Sequence, residues 1–276
     1  MNGLRRLFLA PAAVILVLLY GIPLAIVAAY SVLRRGAYGG VDAALTPYNF
    51  ARLADALYLT ILARSFLLAA AATLLCLLLA FPLAWFISKA GPRKHLYLSL
   101  VVLPFWTSML ICMYSWMFLL RDTGLVNTIL LSLGWISEPL PLLYNYGAVL
   151  VGLVYNYLPF MVLPIFAALE RLDPNLLEAS ADLGAKPWTT LRRVVLPLCA
   201  PGVRAGAVLV FVPSLGDYLT PDLLGGGRTI MIGNLIQNQF TASRDYPFGA
   251  AVSLALMSVV MLLLWQLLKH DKDPLL

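Results

Sequence analysis

Charged residues are scarce in this chain. Asp, Glu, Lys and Arg make up 12% of its 276 residues, about half the share of a soluble domain, whereas 62% are hydrophobic and the mean hydropathy is +0.88. Apolar runs too long for strands or ordinary core helices separate the charged clusters. We therefore expect the bilayer to be the relevant solvent, and the sequence predicts an all-α membrane protein.

Cysteine and histidine are also rare, with three and two residues. The cysteines lie far apart within or beside apolar runs, without the paired spacing of a disulfide framework or a metal site: Cys76, Cys112 and Cys199. The histidines form no H-E-x-x-H motif, and Ser214 lacks the leading glycine of a nucleophile elbow. We therefore expect no catalytic residue, no metal site and no enzymatic activity.

The phosphate-binding pattern G-x4-G-K-[ST] occurs nowhere in the sequence, so the chain cannot hold ATP in that way. The three glycines at 225–227 lack the following lysine and indicate a flexible loop rather than an anion nest. A net charge of +6 could suggest nucleic acid, but no basic patch is interleaved with aromatic residues. We expect no nucleic-acid partner and no cofactor on this chain.

Six stretches are assigned as transmembrane helices within one domain, residues 1–276. Five are uncharged throughout, and the remaining one is interrupted by Asp217 and Asp222, which we place near its end. Arg5 and Arg6 before the first run resemble a signal peptide, but the run exceeds the ~7–15 apolar residues of a cleaved signal, so we expect a retained span. The predicted spans are about 7–33, 65–88, 96–120, 143–169, 203–224 and 248–268.

The distribution of Lys and Arg predicts the orientation. With the N-terminus in the cytoplasm, twelve of the nineteen basic residues face the cytoplasm and seven face outward, so both termini are predicted to be cytoplasmic. Arg34 and Arg35, directly after the first span, run against this asymmetry. The outward connections are then 34–64, 121–138 and 225–247, the second with a short apolar helix near 125–136.

The longest polar interruption, residues 170–204, lies on the predicted cytoplasmic side. Asp173 before Pro174 is typical of a helix start, and Gly184 is suited to end that helix. A second short helix is expected to begin at Pro187 and to end near Pro197. The sequence therefore predicts two short helices at the membrane surface.

The first of these helices carries acids but little bulk. Glu178 and Asp182 are four residues apart and share a face, beside small residues at 179–181. We expect the Ser180 hydroxyl to bond back to the helix backbone. Such a surface could fit closely into the groove of a partner, although an ordinary amphipathic pair of surface helices is the alternative.

The spacing of this loop resembles a known family. Glu178-Ala179-Ser180, three residues, Gly184, nine residues and then Val194-Val195-Leu196-Pro197 is similar to the pattern EAA-x3-G-x9-I-x-L-P of ABC importer permeases, with serine for the second alanine and valine for isoleucine. The resemblance implies a type I importer permease fold with cytoplasmic coupling helices, in a coupling loop at 170–200. It assigns ATPase coupling to Glu178, Ala179, Ser180, Asp182, Gly184, Ala185 and Pro197.

The same resemblance implies an assembly in the inner membrane of a bacterium. We expect a second homologous permease, a cytoplasmic ATPase dimer that binds ATP and Mg²⁺, and an extracytoplasmic substrate-binding protein. The chain would form half of the translocation pathway. The rival hypotheses are a secondary transporter driven by an ion gradient and a membrane enzyme, for which no catalytic residues were found.

Acids within a span need an explanation, because a charge at the membrane centre costs about 2.5–3.5 kcal/mol on insertion scales. Either Asp217 and Asp222 lie near the outer surface, where they cost little, or they line the pathway and attract a cation. Aromatic and amide neighbours favour a cationic solute. The predicted pathway residues are Asp217, Tyr218, Asp222, Tyr155, Asn156 and Tyr157.

The distal third, residues 205–268, is similar to the spermidine/putrescine permease branch of this family. The similarity lies in Pro213-Ser214-Leu215-Gly216-Asp217-Tyr218, in Pro221-Asp222-Leu223-Leu224-Gly225-Gly226 and in Arg244-Asp245-Tyr246-Pro247-Phe248-Gly249. It implies a polyamine or a related small cationic organic solute. Permeases for opines, amino-acid derivatives and aminophosphonates have similar sequences and are the alternative.

Overall fold

The computed structural model describes residue 11 and residues 14–270. Six helices within this part of the chain are long and apolar enough to cross a membrane, which confirms the predicted all-α membrane fold with six spans. The predicted start of the first span at residue 7, with Arg5 and Arg6, lies outside the described residues. In chain order, spans 1 to 6 are Val14–Ser31, Ala56–Ser88, Met109–Ser132, Tyr146–Glu170, Pro187–Gly216 and Tyr246–Gln266.

The chain packs into two compact units, Met1–Ile61 with Leu235–Leu276, and Leu62–Asn234. In the first unit, span 1 consists of a π turn at Val17–Gly21 and an α-helix at Ile22–Ser31, and it packs against the helix Tyr246–His270 of span 6. A hairpin that the sequence did not predict follows span 1.

Two short antiparallel strands form this hairpin, Leu33–Arg35 and Val41–Leu45. Its turn uses Gly39 and Gly40, whose φ angles of 90° and 83° are open to glycine and strained for other residues. The helix Tyr48–Leu53 comes next. The hairpin and this helix thus make up most of the connection between spans 1 and 2.

The second unit is built around close helix approach. Fully buried small residues on span 2, Cys76, Ala80 and Ala84, recur every four residues and form one face of the helix. Spans 4 and 5 meet at Gly202 and Gly206, where an added Cβ would lie 2.6 Å from the Ala168 Cβ and 2.7 Å from the Met161 Sδ. This G-x-x-x-G spacing replaces side-chain bulk by backbone contact, as is common between membrane helices.

The predicted span at 96–120 is broken in the structure. It consists of the helix Lys94–Val102, a 3-10 turn at Leu103–Trp106 and the helix Met109–Leu120, which is followed after a turn by the helix Leu125–Ser132. Pro104 donates no backbone hydrogen bond, and Thr107 is extended with its hydroxyl donating to the Pro104 carbonyl at 2.7 Å. This interruption forms part of the wall of a cavity described below.

Span 5 differs from its predicted bounds of 203–224 at both ends. The second loop helix does not end near Pro197, because Pro187–Thr190, a π turn at Leu191–Val195 and Leu196–Gly216 follow one another without a break. The π turn bonds the Leu196 N–H to the Leu191 carbonyl, and Pro197 then occupies the first turn of the next segment, where its missing N–H costs little. At the other end the helix stops at Gly216, and Leu219–Gly225 is a separate helix.

Candidate functional site

The loop between spans 4 and 5 contains the predicted first helix, at Pro174–Asp182, which we call the loop helix. The Asp173 carboxylate accepts a hydrogen bond from the Asn175 N–H at 3.0 Å and caps its start. Gly184, at φ 75°, ends it by donating to the Ala181 carbonyl at 2.8 Å, while the Ala185 N–H donates to the Ser180 carbonyl at 3.1 Å. Both bonds of a Schellman motif are therefore present, and the helix has a defined end.

Ser180 does not bond back to its own backbone as expected. Its hydroxyl lies 2.8 Å from the Thr190 hydroxyl, and this hydrogen bond joins the loop helix to the segment that leads into span 5. Leu177 and Leu191 pack against the hydrophobic core of the same unit from the two sides of the loop. The loop is thus attached to span 5 by both polar and apolar contacts.

The outer surface of the loop helix is acidic and small. Glu178 and Asp182 are exposed, as are Ala179 and Ala181, and among the described residues neither carboxylate forms an ion pair. Pro197, the most distant of the predicted coupling residues, lies in span 5. The structure therefore brings the predicted acids together on one open surface.

Two large apolar residues of the same loop were missed by the sequence analysis. Leu183 is 88% exposed and Trp188 is 69% exposed, next to the end of the loop helix and at the start of the following helix. Their signal in the sequence is a large apolar residue inside an otherwise polar loop. Leu183 lies in the loop and Trp188 in the first turn of span 5, so the two form an exposed apolar surface beside the acids, which marks a candidate protein contact.

A cavity of about 340 Å³ lies in the second unit beside span 4. Its lining includes three predicted pathway residues, Tyr155, Asn156 and Tyr157. The opposite wall includes Phe105 and Thr107 from the segment that interrupts the third predicted span. It also includes Met109 and Cys112 from the helix that follows. The structure thus gathers aromatic rings and a few polar groups around a space suited to a small organic molecule.

The aromatic walls are held in place by ring contacts. Trp116 packs edge-on against Tyr155 with the ring centres 5.6 Å apart, and Phe105 packs edge-on against Phe160 at 4.8 Å. The Tyr155 hydroxyl donates to the Cys112 sulfur at 3.7 Å. The rings therefore present fixed faces rather than free rotors.

Asp217 is buried, with 7% of its surface exposed, and it lies behind the cavity wall rather than in its lining. One carboxylate oxygen accepts hydrogen bonds from the Leu219 and Thr220 N–H groups at 3.0 and 3.1 Å. The other accepts from the Thr220 hydroxyl at 2.6 Å and from the Tyr157 hydroxyl at 3.4 Å. Asp217 therefore caps the helix after the break in span 5 and contacts the cavity wall at Tyr157.

Thr220 connects Asp217 to the cavity by a second route that the sequence analysis missed. The Asn156 amide donates to the Thr220 hydroxyl at 3.3 Å. A threonine three residues after a capping aspartate was the available signal. The remaining predicted residues, Tyr218 and Asp222, are exposed and do not belong to the cavity lining.

A family match and a relative of known role identify the family of the chain. The sequence profile of a family described as "Binding-protein-dependent transport system inner membrane component" matches residues 21–270. Over 255 residues the chain is 42% identical to the "Spermidine/putrescine transport system permease protein PotB" of Salmonella typhimurium (strain SL1344), with 91% of this chain and 89% of that protein covered.

Two solved structures show the same fold. A bacterial ABC transporter that imports the acidic polysaccharide alginate matches with a TM-score of 0.76 at 17% identity, covering 99% of this chain and 96% of that one. The alginate transporter in complex with an alginate pentasaccharide-bound periplasmic protein matches with a TM-score of 0.72 at 18% identity, covering 95% and 91%. At these identities the similarity concerns the fold.

Proposed function

The chain belongs to the family of binding-protein-dependent transport system inner membrane components and is a permease subunit of an ABC importer, and from this premise we propose that it carries a polyamine. We further propose that its 170–200 loop engages a separate ATPase that binds ATP and Mg²⁺. The observation that carries the solute proposal is the aromatic cavity on span 4. The observation that carries the coupling proposal is the capped, exposed loop helix.

Coupling to an ATPase requires a surface that is both accessible and firmly attached. The loop helix is accessible at Glu178 and Asp182, with Leu183 and Trp188 as apolar anchors beside them. It is firmly attached because the bond between Ser180 and Thr190 ties it to a helix that runs uninterrupted to Gly216. A displacement of the loop would therefore be transmitted along span 5 to the break at Asp217. The Asp217 carboxylate contacts Tyr157 in the cavity wall.

A polyamine fits the cavity because its ammonium groups are attracted to aromatic faces and its methylene chain to apolar ones. Tyr155, Tyr157 and Phe160 offer such faces, and Asn156 offers an amide. The buried carboxylate of Asp217, one hydroxyl away, adds a negative potential without being exposed to the solute. The relative named for spermidine and putrescine transport supports the same chemical class.

The solute proposal is tested by ATP-dependent uptake of labelled putrescine and spermidine into proteoliposomes that contain the whole importer. We expect Tyr157→Leu to lower uptake about fivefold, because a cation–π contact is worth about 1 kcal/mol. Tyr157→Phe retains the ring and should retain most of the uptake. The matched control is Phe66→Leu, since that ring packs edge-on against Phe211 outside the cavity lining.

Unchanged uptake by the Tyr157→Leu importer, at normal assembly, would exclude the cavity as a solute site. Uptake of an opine, an amino-acid derivative or an aminophosphonate in preference to both polyamines would overturn the solute class.

The proposed assembly contains a second homologous permease, a cytoplasmic ATPase dimer and an extracytoplasmic binding protein, in the inner membrane of a bacterium. The six apolar spans and the family support the membrane location. The alginate importer solved together with a periplasmic protein supports the binding-protein partner. In this arrangement both termini and the loop helix face the cytoplasm.

A further inference from the structure

A second cavity, unrelated to the solute, lies in the first unit. We propose that it binds the phosphate of an anionic phospholipid, with the acyl chains of that lipid along span 1. The cavity has a volume of about 480 Å³ and is lined by residues of the hairpin, of the helix Tyr48–Leu53 and of the segment before span 6. Three arginines, Arg34, Arg35 and Arg52, contribute to it together with a single carboxylate, Asp245.

The one carboxylate is already paired. The Arg52 guanidinium donates to the Asp245 carboxylate at 2.9 Å and to the Tyr58 hydroxyl at 3.3 Å, and it lies 3.8 Å from the centre of the Phe248 ring. The other oxygen of Asp245 accepts the Phe248 N–H at 3.2 Å and caps span 6. This pair is therefore a structural support, and it leaves no negative charge available for the other two arginines.

Arg34 and Arg35 line the cavity without a carboxylate partner among the described residues. Both are exposed, and among the described residues no carboxylate lies within ion-pair distance of either, although Asp42 is opposite Arg34 in the hairpin register. One N–H group of Arg35 donates to the Ser243 carbonyl at 2.7 Å, which holds the side chain while its other donors stay free. Both arginines contribute to the cavity lining, and a guanidinium group with free donors is suited to a phosphate, which accepts paired hydrogen bonds from arginine.

The cavity walls are fixed in advance. The buried Asn49 amide donates to the Ser31 and Leu33 carbonyls at 2.9 and 2.8 Å, which joins the end of span 1 to the helix Tyr48–Leu53. The Gly40 N–H donates to the Arg244 carbonyl at 2.9 Å and holds the hairpin turn. Binding would therefore order few additional groups.

The position of the cavity favours a lipid over a soluble anion. Arg34 comes three residues after the end of span 1 at Ser31, and Asp245 directly precedes the start of span 6 at Tyr246. The cavity thus lies at the boundary between apolar and polar chain, which is the depth of phospholipid headgroups. Exposed Tyr30 and Tyr48 are aromatic residues of the kind found at this boundary.

Span 1 provides the surface for the acyl chains. In the half of this helix that leads to the cavity, Ile22, Leu24 and Ile26 are 44–49% exposed. An anionic headgroup in the cavity would place its chains along this helix. Arg34 and Arg35 are on the predicted outward side, against the cytoplasmic excess of basic residues. Binding of an anionic headgroup would explain their position there.

The test is native mass spectrometry of the importer purified in neutral detergent, with added phosphatidylglycerol or phosphatidylcholine. We expect phosphatidylglycerol adducts to exceed phosphatidylcholine adducts about tenfold, because both lipids offer a phosphate but the choline ammonium cancels its charge and repels the arginines. Arg34→Gln should lower the phosphatidylglycerol adducts severalfold, and Arg34→Gln with Arg35→Gln about tenfold. The single variant keeps the hydrogen bond to Ser243, so it tests binding without disturbing that contact.

The matched control is Arg121→Gln with Arg228→Gln, which removes the same charge from another cavity and should leave the adducts in place. Equal retention of the two lipids, or equal losses in the control and in the Arg34/Arg35 variants, overturns the proposal. Displacement of phosphatidylglycerol by inorganic phosphate would make this a site for a soluble anion. Displacement by the binding protein would assign the arginines to protein docking.

Discussion

At the scale of single residues, Glu178 is the exposed charge that we propose to contact the ATPase. It makes no ion pair among the described residues and lies beside small neighbours, so its contribution to the stability of this chain is small. We therefore predict that Glu178→Arg leaves the protein folded but lowers ATP-dependent uptake at least tenfold, because reversed charge opposes a complementary interface. Uptake and co-purification of the ATPase are the two measurements.

Glu138→Arg is the control for this substitution, since Glu138 is also exposed and lies outside the coupling loop. It should leave both measurements unchanged. If Glu178→Arg retains normal uptake and a normal amount of ATPase, the loop helix is not the docking surface.

Asp217 has the opposite character, because the carboxylate is buried and accepts four hydrogen bonds. We predict that Asp217→Leu lowers the free energy of unfolding by about 3 kcal/mol, since it leaves two backbone N–H groups and a hydroxyl without an acceptor. Asp217→Asn retains one capping oxygen and should cost about 1 kcal/mol. The melting temperature of the purified protein measures both.

Asp222→Asn provides the comparison, because Asp222 is exposed and its substitution should change stability by less than about 0.5 kcal/mol. Equal effects of Asp217→Leu and Asp222→Asn on the melting temperature would show that the cap at Asp217 contributes nothing.

At the scale of elements, the contact between spans 4 and 5 depends on Gly202. An added Cβ there would lie 2.6 Å from the Ala168 Cβ and 2.7 Å from the Pro164 carbonyl oxygen, and neither is the end of a flexible side chain. We predict that Gly202→Ala lowers the free energy of unfolding by about 1–3 kcal/mol through overpacking. Thermal unfolding in detergent is the measurement.

Gly216→Ala is the matched control in the same helix, because nothing lies within 4 Å of a Cβ added at that position. It should leave the melting temperature unchanged or slightly raised. A Gly202→Ala protein as stable as the Gly216→Ala protein would contradict the close approach of the two spans.

The sequence predicted what hydropathy and local chemistry determine. Six apolar stretches identified the spans, and the Asp173-Pro174 start and Gly184 end identified the loop helix, because capping and αL preferences act within one turn. Interruptions inside apolar runs were not predicted. The break at Thr107 and the end of span 5 at Gly216 depend on hydrogen bonds, such as those of Asp217, that form only once the chain is folded.

The site could be predicted in part for the same reason. Tyr155, Asn156 and Tyr157 are neighbours in sequence and also line one cavity, so a local cluster was a sufficient signal. Asp217 was predicted in the pathway because a charge inside a span needs an explanation, and its hydrogen bonds supply a structural one. Its place in the solute pathway stays a prediction. The hairpin was missed because its strands are short and lack the alternation of apolar and polar residues that identifies a strand.

At the scale of the whole molecule, the orientation of the chain can be tested with single cysteines. Tyr38 is 101% exposed and Leu183 is 88% exposed, and because three spans separate them in sequence we predict that they lie on opposite sides of the membrane. In a Cys112→Ser background, we predict that Tyr38→Cys reacts with an impermeant maleimide in intact cells. Leu183→Cys should react only after the membrane is opened.

The background substitution removes the one cysteine that is not fully buried, since Cys76 and Cys199 are. A parent chain with Cys112→Ser alone measures residual labelling. Labelling of Leu183→Cys but not Tyr38→Cys in intact cells would reverse the predicted orientation, and labelling of both would contradict the span count between them.

The π turn at Leu191–Val195 determines the direction in which the loop helix faces. Such a turn holds one residue more than an α-helical turn, and each α-helical residue rotates the chain by about 100°. The helix that follows presents Gly202 and Gly206 to span 4, so its own angle is fixed by that contact. Shortening the turn by one residue would therefore rotate the loop helix, with Glu178, by about 100° relative to the part of span 5 that contacts span 4. The five residues of the π turn thus fix the direction in which the surface proposed to bind the ATPase faces.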